Sequence, residues 1–259
     1  MRALFVEHDH LSPPGPLAER LEQRGFSITR RVVVSAEHYA QPNIPHVFPS
    51  WDEFDVVIVM GANWGAWDDD AIGHWLLPEL DWLCELHQND VPILGVCFGG
   101  QALARALGGS VAPGPRPEIG YTWILSDDRD LIPPGPWFQF HYDRWQVPPK
   151  AREIARTPLA SQAFVLGRSL AVQFHPEVTP EALSEWMLDV EITGSGTPAA
   201  IAADAQDLQT LRRLVDQEEA ETVKRAHALI DAFIDRVARL RPDTRGNSAA
   251  SRITRHLAT

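Results

Sequence analysis

The ten residues from Pro92 to Gln101 decide the fold, and they read PILGVCFGGQ. An apolar strand over residues 91–96 runs directly into Cys97, and glycines flank this cysteine on both sides. The next run, QALARAL from Gln101, has the composition of a helix. A nucleophile in a tight turn between a strand and a helix is a nucleophile elbow, here with Cys in place of Ser. The glycines leave room around a strained apex residue, and the start of the helix favours a thiolate.

A second segment, AVQFHPEV at residues 171–178, supplies the other groups that a cysteine nucleophile needs. His175 is predicted to act as the base for Cys97, and Glu177 is predicted to orient the imidazole. The two residues are two positions apart, so they would point the same way on an extended strand. Pro176 lacks a backbone donor and indicates that the strand ends there. The two segments together predict a Cys-His-Glu triad.

These residues resemble the class I glutamine amidotransferases. The family elbow reads G-x-C-x-G-x-Q, which Gly95 to Gln101 match, and its His and Glu lie in an H-P-E motif, which residues 175–177 match. The resemblance extends over most of the chain and is greatest to stand-alone proteins that resemble the glutaminase part of GMP synthase. It implies an α/β hydrolase-like three-layer sandwich.

The resemblance also locates an oxyanion hole. In the family a glycine-rich loop after an early strand supplies part of it, and residues 56–65, VVIVMGANWG, occupy that place. The expected donors are the backbone N–H groups of Ala62 and Phe98, and Gly61 is expected to line the substrate site. The family usually has M-G-G-P-x-S here, so Ala62 stands where a glycine is usual. Because glycine reaches backbone angles that alanine avoids, we expect a poorly formed hole, a weak basal rate and a higher rate in Ala62→Gly.

Further residues are expected to bind the substrate. Gln101 lies four positions after Cys97, so its amide would share a helix face with the nucleophile. The family uses this residue to hold the amino-acid end of the substrate. His141, Tyr142 and Asp143 are similar to the family's H-x-D loop near bound glutamine, although a turn of ordinary polar residues explains them almost as well.

The order of elements along the chain predicts an α/β fold independently of the resemblance. Short apolar runs such as residues 55–60 and 91–96 alternate with helical patterns such as residues 71–88. This alternation indicates a central, mostly parallel sheet with helices on both faces and the elbow at the carboxyl end of a central strand. After Gly108 the segments become short, aromatic and rich in turns, which predicts a more antiparallel half.

The chain is predicted to hold one amidotransferase-like domain over residues 1–240. Its last part, residues 208–240, has an apolar stripe typical of a helix packed on the sheet, and its polar stretch 218–224 allows a break. A role of this stripe as an interface for a partner subunit is the less favoured alternative. Residues 241–259 contain almost no apolar side chains and are predicted to be a disordered tail.

Composition restricts the partners. The chain has 259 residues, of which 23 are basic and 35 acidic, and a net charge of -12. This acidic balance argues against nucleic acid and anionic membranes as partners. We see no signal peptide, lipidation motif or membrane span, so we expect a cytoplasmic protein. His8, Asp9 and His10 have the spacing of metal ligands but no obvious third partner, so we expect no metal site.

The function predicted from these motifs is hydrolysis of the glutamine side-chain amide to glutamate and ammonia. The triad chemistry needs no metal or organic cofactor. Because the chain shows no ATP-binding loop or synthetase domain, ammonia would pass to a separate synthetase subunit. Alternatively, the chain would act alone as a γ-glutamyl peptidase or hydrolase on another γ-glutamyl amide. A non-catalytic binding protein with the same fold is a further alternative, favoured by the altered loop at Gly61 and disfavoured by the intact triad.

Overall fold

The fold is described from a computed structural model, which covers residues 1–193 and 205–240, with side chains for 1–187 and 209–240. The predicted tail, residues 241–259, lies outside the described residues. Ten strands and five α-helices are present in this part of the chain. The strands are β1 (Arg2–Glu7), β2 (Ser27–Val32), β3 (Val56–Val59), β4 (Ile93–Val96), β5 (Ser110–Trp123), β6 (Leu125–Ser126), β7 (Pro136–Gln146), β8 (Arg152–Arg156), β9 (Ser161–Leu166) and β10 (Ser169–Val172). The helices are α1 (Gly15–Gln23), α2 (Asp69–Gln88), α3 (Phe98–Ala106), α4 (Pro180–Thr193) and α5 (Ala205–Ala232), and a π-helical segment, Phe233–Ala238, follows α5.

Eight strands form one sheet in the order β2-β1-β3-β4-β10-β9-β8-β6. The first five are parallel to their neighbours, and the last three join by antiparallel pairing. Strands β5 and β7 form a separate antiparallel pair. The prediction of a mostly parallel sheet with a more antiparallel second half is therefore confirmed. β4 lies between β3 and β10, so the elbow is at the carboxyl end of a central strand, as predicted.

Two apolar layers cover the two faces of the sheet. Alternate residues of β1 enter different layers: Ala3 and Phe5 pack with α1 and α5, whereas Leu4 and Val6 pack with α2 and α3. Strand side chains point alternately to opposite faces, so a strand buried on both faces is apolar throughout. The result is the predicted three-layer sandwich. A third cluster packs α4 against the β5–β7 pair.

The C-terminal helix differs from its prediction in one respect. α5 runs without interruption through residues 218–224, where the polar sequence allowed a break. Its buried side chains, including Ala226 and Leu229, join the core on the sheet. Ion pairs of Asp231 with Arg20 and Arg24 then tie α5 to α1. Packing along one face therefore holds the helix across its polar stretch.

None of the helices in the described part of the chain is both long enough and apolar enough to span a bilayer.

Candidate active site

Cys97 sits in a strained turn between β4 and α3. Its backbone angles, φ 49° and ψ -109°, are unusual for a residue with a side chain. The turn is fixed by its backbone, because the Cys97 amide donates to the Val172 carbonyl at 2.8 Å and the Cys97 carbonyl accepts from the Gln101 amide at 2.9 Å. The cysteine is only 6% exposed. The sheet and the helix start therefore hold the sulfur at one place.

The glycines around Cys97 are required by close backbone contacts. A Cβ atom on Gly95 would lie 2.6 Å from the carbonyl oxygen of Gly99, and one on Gly99 would collide with the carbonyl of Val59. Larger residues at these positions would force the elbow apart. The tight turn predicted from the sequence is thus present for the steric reason that was expected.

His175 and Glu177 form a buried pair beside the elbow. The Nδ1 atom of His175 lies 2.7 Å from Oε1 of Glu177, and the two residues are 6% and 0% exposed. The pair does not lie on a strand, since β10 ends at Val172 and the chain bends before His175. The expectation that an extended strand brings the two side chains together is therefore wrong. A turn brings them together instead.

The second nitrogen of His175 has no hydrogen-bond partner among the described residues. This Nε2 atom is buried in a cavity that Cys97 also lines. Gly61 lies against both residues, because a Cβ atom built on it would be 3.4 Å from the imidazole Cε1 and 3.9 Å from Cys97 Cβ. Nδ1 is occupied and Nε2 is free, which is the arrangement that a general base needs.

The electrostatics of the site favour a protonated imidazole. Burial alone would lower the pKa of His175, but attraction to the Cys97 thiolate and the Glu177 carboxylate outweighs it, so the pKa is raised well above its ordinary value. An imidazolium next to a cysteine stabilises the thiolate form. The site therefore favours a charged imidazole beside the Cys97 sulfur.

The loop after β3 lines the same cavity through Gly61 and Ala62, and Phe98 lines it from the start of α3. The loop is tied to the elbow by a hydrogen bond from the Gly99 amide to the Met60 carbonyl, 3.1 Å. The structure thus brings together the residues predicted for the oxyanion hole.

The backbone of Ala62 removes the reason for expecting strain there. Among the described residues, only Asp90, Cys97 and Arg239 have a positive φ without being glycine. Ala62 is not one of them, so its backbone is one that alanine adopts readily. A methyl group at this position does not by itself prevent the loop from forming.

Gln101 lies on the cavity wall, 3% exposed. Its Nε2 atom donates to Oε1 of Gln173 at 3.3 Å and approaches the Asp143 carbonyl at 3.5 Å. Gln173 in turn donates from Nε2 to the sulfur of Cys97 at 3.7 Å. The sequence prediction placed Gln101 next to the nucleophile but missed Gln173, which links the two.

His141, Tyr142 and Asp143 of β7 also line the cavity. The His141 side chain is held from behind, with Nε2 3.4 Å from Oε2 of Glu118 and Nδ1 3.1 Å from the Asp143 carbonyl. The Tyr142 hydroxyl is buried and has no partner among the described residues, and burial raises its pKa. Burial also raises the pKa of Asp143, although a hydrogen bond from Trp67 opposes this. Tyr142 and Asp143 therefore offer polar groups to a ligand in the cavity.

The cavity has a volume of about 340 Å³. Nine of the ten residues predicted for the site line it, and the tenth, Glu177, lies behind His175. Its remaining wall includes four aromatic side chains, Trp64, Trp67, Phe140 and Trp186, together with polar residues such as Asp9 and Asp68. A pocket that joins a cysteine, a histidine and several aromatic groups is a typical small-molecule site.

Comparison with known proteins agrees with this geometry. A model of the family "Glutamine amidotransferase class-I" matches residues 76–193, a stretch that holds the elbow and the His175–Glu177 pair. The matched stretch belongs to the class I glutamine amidotransferases.

The sequence relatives of this chain include GMP synthases. One, from Aeropyrum pernix, is 34% identical over 53% of this chain, and another, a glutamine-hydrolysing GMP synthase subunit from Ignicoccus hospitalis, is 38% identical over 34% of it. The matches span only 26% and 51% of those two proteins. The resemblance therefore concerns part of each relative.

Solved structures share the fold. A glutamine amidotransferase from Thermotoga maritima has a TM-score of 0.75 at 22% identity and covers 91% of this chain and 98% of its own. One from Methylobacillus flagellatus has a TM-score of 0.71 at 23% identity and covers 90% of this chain and 94% of its own.

The cavity wall includes a helix that was not predicted from the sequence. Trp186 of α4 packs on the His175 ring with 4.9 Å between centroids, and its Nε1 donates to the Leu11 carbonyl at 2.9 Å. A signal for this helix was available. Thr179 caps it by accepting from the Ala182 amide at 3.1 Å, and Pro180 is its first residue.

Proposed function

We propose that this chain hydrolyses the side-chain amide of glutamine to glutamate and ammonia, with Cys97 as the nucleophile. One observation carries the proposal: a cysteine on a strained elbow shares a cavity with a buried His175 whose Nδ1 is held by Glu177 and whose Nε2 is free. The family and its glutamine-hydrolysing relatives support the choice of reaction.

The first half of the reaction forms a thioester. The Cys97 thiolate adds to the side-chain carbonyl carbon of glutamine, and the electron pair of the C=O bond moves to the oxygen. Backbone N–H groups of Ala62 and Phe98 stabilise that oxyanion. Collapse of the intermediate breaks the C–N bond, and the His175 imidazolium gives its proton to the leaving ammonia.

The second half releases glutamate. Neutral His175 accepts a proton from water while the water oxygen attacks the thioester carbon. Collapse of this intermediate breaks the C–S bond and restores the thiolate and the imidazolium. Glu177 stabilises the charged ring in both halves and transfers no proton.

Other side chains hold the substrate in this scheme. Gln101, Tyr142 and Asp143 face the cavity with polar atoms and suit the charged amino-acid end of glutamine. Gln173 fixes Gln101 relative to the Cys97 sulfur. His141 supports Asp143 from behind and acts through its position.

The ammonia acceptor belongs to the proposal as well. One relative is named as only one of the subunits of a GMP synthase, which suggests that ammonia passes to a separate synthetase subunit here too. The second candidate function is that of a stand-alone hydrolase for a larger γ-glutamyl amide. The cavity of about 340 Å³ with its aromatic wall favours this candidate, because it lies in the size range of pockets for drug-sized ligands.

The test is ammonia release by the purified full-length protein from glutamine and from a panel of γ-glutamyl amides. We expect hydrolysis that Cys97→Ala abolishes, and the preferred substrate decides between the two candidates. If the wild-type protein released ammonia or amine from none of these compounds, the proposed function would be wrong.

A further inference from the structure

A second buried imidazole–carboxylate pair lies under the oxyanion loop. His8 follows β1 directly, and Glu79 lies in the middle of α2. Nε2 of His8 is 2.9 Å and 3.1 Å from the two carboxylate oxygens of Glu79, and both residues are 0% exposed. Neither residue lines the cavity. A buried ion pair costs desolvation and often adds little to stability, so its presence needs another reason.

The other nitrogen of His8 binds the loop. Nδ1 donates to the carbonyl oxygen of Gly61 at 3.2 Å. Both neighbours of the ring, a carbonyl and a carboxylate, are acceptors, so both ring nitrogens carry protons. Burial alone would lower the pKa of His8, but Glu79, together with the Gly61 carbonyl and Asp9, raises it. The ring is thus an imidazolium with both donors in use.

The bond to Gly61 sets the direction of the Ala62 amide. The Gly61 carbonyl and the Ala62 N–H belong to one planar peptide unit, and the described chain has no cis peptide bond. In a trans unit these two groups point in opposite directions. The carbonyl points to the buried His8, so the N–H of Ala62 points away from it. Because Ala62 and Cys97 line the same cavity, we infer that this donor is turned to that cavity.

The same imidazole contacts the residue that carries the second donor. The His8 and Phe98 rings have centroids 4.5 Å apart at 60°, and Trp75 stacks on His8 at 5.4 Å and 30°. His8 therefore touches both residues of the expected oxyanion hole, one through a hydrogen bond and one through ring packing.

We propose that His8, held by Glu79, is a positioning residue that fixes the Gly61–Ala62 peptide so that the Ala62 N–H faces the oxyanion. This role rests on the proposed function. His8 touches no reacting atom, and it acts through Gly61.

The test compares two substitutions that each keep one nitrogen. Nδ2 of asparagine is as many bonds from Cα as Nδ1 of histidine, and Nε2 of glutamine as many as Nε2. His8→Asn therefore keeps the donor to Gly61, and His8→Gln keeps the donor to Glu79. Loss of a full oxyanion donor costs about 10²–10³ in rate, and a misdirected donor costs part of that. We expect His8→Gln to lower kcat by about 10–10²-fold with little change in KM, and His8→Asn to stay within about fivefold of wild type.

Alkylation of Cys97 by iodoacetamide separates positioning from a general structural defect. In this reaction the sulfur forms a bond to the CH₂ carbon while iodide leaves with its electron pair, so no oxyanion develops. We expect unchanged alkylation rates in His8→Gln. His10→Asn is the matched control, since His10 is exposed and contacts Tyr39 outside the cavity. It should match wild type in both assays.

Wild-type kcat in His8→Gln would overturn the positioning role, as would alkylation slowed as much as hydrolysis. If His8→Gln fails to fold by circular dichroism, His8→Phe carries the test. It keeps a ring against Phe98 and Trp75 but removes the donor to Gly61. It should lower kcat about tenfold with unchanged alkylation, and a wild-type kcat would overturn the proposal. A wild-type protein that hydrolyses no γ-glutamyl amide would instead overturn the proposed function, and this role with it.

Discussion

Two buried histidine–glutamate pairs flank the elbow, and they differ in what the second nitrogen of each imidazole contacts. In the His175–Glu177 pair the second nitrogen has no partner among the described residues and faces the cavity. In the His8–Glu79 pair the second nitrogen donates to the Gly61 carbonyl. A ring with a free nitrogen can move a proton, whereas a ring with two occupied nitrogens can only hold its neighbours in place. On the proposed roles, the same two residue types serve chemistry in one pair and geometry in the other.

The largest expected effect is at Cys97, which shares the cavity with the free nitrogen of His175. Cys97→Ala should lower the glutaminase rate by about 10⁵–10⁶-fold, because the covalent route disappears. Iodoacetamide should label Cys97 and spare Cys84, which lies in α2 next to Gln88. Mass spectrometry of digested protein measures both sites. Equal labelling of the two thiols would show that Cys97 is not activated.

The same substitution in both pairs tests the comparison directly. His175→Gln removes the proton-transfer group and should lower kcat by about 10³–10⁴-fold, and it should also slow alkylation of Cys97. His8→Gln should have the smaller effect on kcat and none on alkylation. Equal losses in both assays for the two variants would mean that the pairs do not differ in role.

Glu177→Gln should cost less than loss of Cys97, because Glu177 orients and stabilises the ring without moving a proton. We expect a fall in kcat of about 10²–10⁴-fold with a folded protein that still alkylates. The measurement is steady-state kinetics together with circular dichroism. A variant as inactive as Cys97→Ala would contradict the assigned role.

The pH profile refines this prediction. His175 must be protonated to release ammonia, so activity is kept below its pKa in the folded protein and lost as pH rises through it. Since that pKa is raised, the alkaline limb of kcat should lie well above pH ~6.5, the ordinary histidine value. Glu177 contributes to the rise, so Glu177→Gln should move the limb to lower pH. An unmoved limb would assign it to another group.

The sequence predicted the first pair because its signal is local. His175 and Glu177 are two residues apart, and a motif that includes them can be read directly. The elbow is local in the same way, since its glycines and its strand are consecutive. The parallel strands were equally readable, because burial on both faces makes them apolar throughout.

The second pair could not be predicted from neighbouring residues, because 71 positions separate His8 from Glu79. One sign of it was present. The apolar stripe of α2 includes Ile72, Leu76 and Leu83, and Glu79 stands on it as a buried carboxylate, whereas the neighbouring Leu80 is only partly buried. A charged residue on a buried stripe indicates a partner, but the fold must bring the end of β1 to α2 before that partner is known.

The smallest expected effect is at Ala62, the residue that the second pair is proposed to aim. The family pattern has glycine there and predicts that Ala62→Gly raises the basal rate. The structure gives the opposite expectation, because Ala62 does not have the positive φ for which glycine would be preferred. Glycine would add backbone freedom worth about 0.5–1 kcal/mol and loosen the loop that His8 holds. We therefore expect kcat to fall by about two- to fivefold, measured as ammonia release at saturating glutamine. In the double variant with His8→Gln, the fall in kcat should be larger than the product of the two single falls. Neither the His8 ring nor the Ala62 methyl group would then restrain the peptide. A rise in kcat in Ala62→Gly would show that the loop is strained after all, and that His8 holds it in an unproductive position.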